Sequence, residues 1–115
     1  MMNLIYLAIA LFALAAVLGL VILIRWLTSK DAPRGVVYSH GVVAAVALII
    51  VVVYAVRNPA NFPQASLVLF IISALAGFYM FYQDMNKKMS PLALAFTHAL
   101  VAVAGFVALI IFALG

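Results

Sequence analysis

The chain reads as an all-α membrane protein, a four-transmembrane-helix up-down bundle made of two tandem helical-hairpin repeats. Three observations predict this. Its 115 residues are 71% hydrophobic and 7% charged, and no soluble domain this small can hide so much apolar surface. The apolar residues fall in four continuous runs, each near the ~20 residues that a bilayer-spanning helix needs. The chain also lies on itself without a gap when shifted by 58 residues. Runs that are continuous rather than alternating exclude a β-barrel. Almost nothing is left over for a soluble domain. A single transmembrane domain is expected over residues 1–115, with repeat 1 at 4–57 and repeat 2 at 65–115.

The first run is Leu4–Leu27. Its Ala13-Leu14-Ala15 resembles a cleavage site, but no positive charge precedes it and the apolar stretch continues past it. It is expected to be a retained anchor rather than a cleaved signal. A short loop then turns at Pro33, and proline suits a helix start because its missing N–H would have no helical partner there. The second run is Gly35–Val56. The connector from Arg57 to Gln64 holds two prolines and two asparagines, all breakers. The third run is Ala65–Tyr82, a loop turns at Pro91, and the fourth run is Pro91–Leu114. Trp26, Tyr79, Phe81 and Tyr82 near the ends of runs one and three suit an interfacial aromatic belt.

Charge orients the bundle. Arg25, Lys30 and Arg34 flank the first loop, Lys87 and Lys88 lie in the third, and Arg57 stands alone at the other end. This bias places loops one and three in the cytoplasm and both termini outside, in a membrane such as the bacterial inner membrane. It also accounts for the net charge of +4 without a nucleic-acid partner. Asp31 and Asp84, the two acidic residues, lie in the same basic loops. Cysteine is absent, which excludes disulfides, thiol chemistry, Cys-ligated iron–sulfur clusters and covalently attached c-type haem.

The 58-residue shift places Leu11-Phe12 on Leu69-Phe70, Gly19 on Gly77, Lys30 on Lys88 and Pro33 on Pro91. It also places His40 on His98, and these are the only histidines. Both hairpins enter from one side, so the axis relating them is expected along the membrane normal, with a rotation of half a turn. Each histidine lies about 8–11 Å inside its helix by the rise per residue. Ionisable groups at that depth face the bundle interior and serve a ligand, a proton path or a hydrogen bond. Ala44 and Ala102 lie one turn beyond the histidines, Ala47 and Gly105 two turns beyond, on the same faces. With Gly19 and Gly77 they leave a slot of small residues near the histidine level. The same small residues would also serve plain helix packing with no cofactor.

Two imidazoles do not complete a zinc site, and no carboxylate or Met cluster sits at their level. Haem iron needs only two axial ligands, because the porphyrin supplies four. One bis-histidine haem b on His40 and His98 therefore fits the inventory. Diagonal placement of helices two and four would grip it from opposite sides. Its propionates are expected toward the basic loops, where Lys30, Lys88, Arg34 and Lys87 can form charge-assisted bonds.

A parallel pair of hairpins with ligand histidines near the starts of helices two and four resembles one half of haem A synthase. More generally it resembles the membrane b-type cytochromes. The resemblance covers the whole chain and rests on His40, His98, their spacing and the duplication. The synthases place an acidic residue one turn before a ligand histidine and an arginine after it. Here Val36, Val37, Leu94 and Ala95 precede and Gly41 and Ala99 follow. What the resemblance implies is the haem-binding scaffold rather than the synthase chemistry.

No catalytic constellation is present. Ser39 and Thr97 precede the histidines, but no carboxylate orients either imidazole as a base. Those hydroxyls are expected to bond back to helix carbonyls. The expected role is one-electron transfer near the cytoplasmic face with a quinone or a redox protein, at most an oxidoreductase component; haem storage or delivery would look identical in sequence. Two rival classes stay open. One is a cofactor-free accessory subunit of a larger membrane complex or homo-oligomer. The other is a small multidrug-type transporter, although that family uses a membrane-embedded glutamate and this chain has none.

Overall fold

The computed structural model describes residues 2–115 and consists of α1 (Met2–Leu27), α2 (Arg34–Arg57), α3 (Gln64–Met85) and α4 (Leu92–Leu114). Helices of 26, 24, 22 and 23 residues are rods of roughly 33–39 Å, longer than the ~30 Å hydrocarbon layer. All four are apolar enough to cross a membrane, and the described residues contain no strand. The chain is an integral membrane protein folded as a helical bundle of 44 × 23 × 21 Å. Large apolar side chains such as Val17, Ile49, Leu75 and Leu100 cover its outer surface. In lipid that surface needs no further burial.

The helices extend a few residues beyond the apolar runs, because polar residues at the ends continue the backbone ladder. α3 runs on through Gln83 and Asp84 to Met85. Pro33, Pro63 and Pro91 each stand just before a helix, as its N-cap. Pro91 is therefore outside α4 rather than its first residue. Its carbonyl accepts from the amides of Leu94 and Ala95, which starts the helix.

The two loops at the basic end are built alike. α1 ends with the Ser29 amide donating to Trp26 and the Lys30 amide donating to Arg25. α3 ends with Lys87 donating to Asp84 and Lys88 donating to Gln83. These pairs are the two bonds of a Schellman cap. The cap puts Ser29 and Lys87 in the left-handed region, at φ 56° and 57°. Both motifs sit at the 58-residue offset.

Neighbouring helices pack as α1–α2, α3–α4, α1–α4 and α2–α3. α2 therefore stands diagonally across from α4, and α1 from α3. Ile5, Ala8, Phe12, Ala15, Ile22, Ala47 and Val51 are buried, and so are Pro63, Ser66, Phe70, Ser73, Met80, Gly105 and Leu109, each 58 residues later. Three aromatic pairs meet their own counterparts across the bundle. Phe12 stacks flat on Phe70 with ring centres 3.8 Å apart and planes 1° apart. Tyr54 meets Phe112 edge-on at 5.8 Å, and His40 meets His98. In each of these pairs the two residues are 58 positions apart.

Candidate functional site

His40 is the seventh residue of α2 and His98 the seventh of α4, so both lie about 9 Å inside their helices. Both are half-buried. Their rings meet across the α2–α4 diagonal, with centres 6.3 Å apart and planes at 79° to one another.

A backbone carbonyl one helix away orients each ring. His40 Nδ1 lies 2.8 Å from the Ala15 carbonyl oxygen on α1, and His98 Nδ1 lies 2.8 Å from the Ser73 carbonyl oxygen on α3. A carbonyl only accepts, so this geometry assigns the proton of each neutral ring to Nδ1 and leaves the Nε2 lone pair free. An imidazole of that tautomer can bind a metal through Nε2 while the carbonyl on Nδ1–H fixes the ring's orientation.

Gly19 and Gly77 are the second half of the arrangement. A Cβ on Gly19 would stand 2.9 Å from His40 Cε1, and one on Gly77 would stand 3.1 Å from His98 Cε1. The glycines therefore let each ring lie against the neighbouring helix one turn above its carbonyl partner. Ala44 and Ala102 are half-buried one turn beyond the histidines.

Ala47 and Gly105 belong to a different level. Ala47 is wholly buried in the cluster that holds Phe12 and Phe70, and a Cβ on Gly105 would meet the Phe70 ring at 3.3 Å. These two make room for the phenyl pair rather than for the histidines. The phenyl pair lies seven residues, about 10 Å, beyond the glycines, and there it closes the α1–α3 diagonal. Sequence reasoning missed the carbonyls of Ala15 and Ser73 and the Phe12–Phe70 floor. The signal was present, since both are pairs in the 58-residue alignment and Phe12/Phe70 is an identity.

Among the expected basic partners, Lys30 and Lys88 are exposed at the loop end. Lys88 shares a small cavity with Trp26, Asp31, Met80, Asp84 and Ser90. Arg34 is already paired, its Nη1 standing 2.6 Å from Asp84 Oδ2. That ion pair ties the start of α2 to the end of α3, beside the edge-on contact of Tyr38 with Phe81. Thr97 Oγ1 donates to the Ala93 carbonyl at 2.7 Å, the back-bond expected of it. Among the described residues no third His, Cys, Asp or Glu side chain joins the histidine pair.

An imidazole nitrogen binds a metal at about 2.0–2.1 Å, so two imidazoles on opposite sides of one ion have ring centres roughly 6 Å apart. The His40–His98 separation is of that size. No protein-family model, curated protein or solved structure matches the chain.

Proposed function

We propose that this protein binds one haem b between His40 and His98 and exchanges single electrons with a quinone or a redox protein near the cytoplasmic face. One observation carries the reading: two half-buried histidines, each with Nδ1 on a backbone carbonyl, stand with ring centres 6.3 Å apart, about the spacing of two axial ligands. Two ligands suffice for haem and for few other centres.

The residues around the pair support it. Haem bound there would be held by His40 and His98 from helices that stand diagonally across the bundle. Gly19 and Gly77 would serve it indirectly, by letting each imidazole lie against the neighbouring helix. The Phe12–Phe70 stack bars it on one side and leaves the basic end on the other. The propionates would then reach Lys30, Lys88 and Lys87, while Arg34 would have to exchange Asp84 for a propionate. Unpaired carboxylates in hydrocarbon would be costly, which favours this orientation. Bound there, haem supplies reversible ferric–ferrous chemistry, and the protein sets its ligands and surroundings. The loop bias puts the basic end in the cytoplasm and both termini outside.

The test is an absorption spectrum of purified protein produced with ample haem. The expected result is a low-spin b-type spectrum in the wild type, lost or turned high-spin in His40→Ala and His98→Ala. Absence of Soret absorption from the wild type would end the proposal.

A further inference from the structure

The two histidines are not held alike, and the difference lies at one atom. Ser73 occupies in the second hairpin the place of Ala15 in the first. Its carbonyl accepts from His98 Nδ1, as the Ala15 carbonyl does from His40. Its hydroxyl adds what alanine lacks. Ser73 Oγ lies 3.0 Å from His98 Nδ1 and 3.2 Å from the His98 carbonyl oxygen, to which it donates. Nδ1 carries one proton, so the ring N–H is shared between the Ser73 carbonyl and the Ser73 hydroxyl, and the hydroxyl donates to the backbone carbonyl of His98. Ser73 is buried, so water does not compete for these bonds. His98 thus has its ring held by two oxygens and its backbone by one of them, whereas His40 has a single acceptor.

Resting on the haem reading, we infer that Ser73 is a positioning residue that makes His98 the fixed axial ligand and leaves His40 the displaceable one. A ring already held in its binding orientation loses less freedom when it ligates. An added acceptor on Nδ1–H also raises the basicity of Nε2, and such outer partners change metal affinity by about 10–100-fold.

The experiment measures loss of ferric haem from the full-length protein in detergent to an excess of a soluble haem-scavenging protein. His40→Ala should keep a five-coordinate, high-spin haem and lose it roughly 10–100-fold more slowly than His98→Ala. Ser73→Ala retains both histidines and guards against misfolding of the histidine variants. It should lose haem about tenfold faster than wild type and show a higher midpoint potential, because a less basic imidazole favours the ferric form less. Ala15→Ser places the same hydroxyl beside His40 and should slow the loss. In a Ser73→Ala/Ala15→Ser background, the order of the two histidine variants should reverse. Equal loss from the two single histidine variants, or a Ser73→Ala protein matching wild type in both rate and potential, would overturn this inference while leaving the haem reading intact. A wild type that takes up no haem would overturn both.

Discussion

At the scale of the residue, the site depends on what Gly19 and Gly77 lack. A methyl group at Gly19 would stand 2.9 Å from a His40 ring atom, and one at Gly77 would stand 3.1 Å from the equivalent His98 atom. Neither ring can retreat freely, because its Nδ1 is bonded to a carbonyl on the same neighbouring helix. On the proposed haem reading, Gly19→Ala is therefore expected to turn the His40 ring and give a high-spin form in haem-loaded protein. Gly77→Ala should do so less completely, since its contact is looser. Optical spectra of the two variants beside wild type check the order. The histidines and both glycines were legible because the 58-residue shift pairs identical residues there. Ser73 was not, since it aligns with alanine and its importance lies in a bond between helices. The Arg34–Asp84 pair was hidden for a similar reason. Its counterparts are Leu92 and Trp26, so nothing in the repeat announces an ion pair at that seam.

At the scale of the element, the two hairpins have the same outline but different fastenings. Ser66 Oγ donates to the Gly105 carbonyl at 2.8 Å, and Ser73 bonds to His98 one level away. Both link α3 to α4, whereas α1 has Ala8 and Ala15 at those places. The second hairpin thus carries two buried serine hydroxyls bonded between its helices that the first lacks. Ser66→Ala leaves the Gly105 carbonyl with its own helical partner, so only the extra bond is lost. The expected cost is about 0.5–1.5 kcal/mol, at the low end for a bond within lipid. Unfolding in mixed detergent measures it, and an unchanged midpoint would count against a role for this bond. Helix number, order and approximate bounds were readable from hydropathy and proline alone. The Schellman caps were not, because their left-handed positions hold Ser29 and Lys87 rather than glycine.

At the scale of the whole molecule, the antiparallel bundle collects Arg25, Lys30, Arg34, Lys87 and Lys88 at one end and leaves Arg57 at the other. Reporter fusions at both termini should be active only outside the cytoplasm, and activity inside would reverse the proposed orientation. The diagonal opposition of α2 to α4 was expected from a simple up-down order and is what the fold shows. The crossed planes of the two imidazoles were invisible in sequence, since they depend on which helix supplies each carbonyl. They also offer the most direct check on the central claim. Imidazole planes near 79° to one another leave the relevant iron d orbitals almost degenerate, which makes a low-spin ferric haem strongly anisotropic magnetically. The measurement is a low-temperature electron paramagnetic resonance spectrum of the oxidised, haem-loaded protein. A single low-spin species with a very large maximal g value is the result expected of His40 and His98 flanking one iron. An ordinary rhombic low-spin signal, a high-spin signal, or a protein that holds no haem would contradict it.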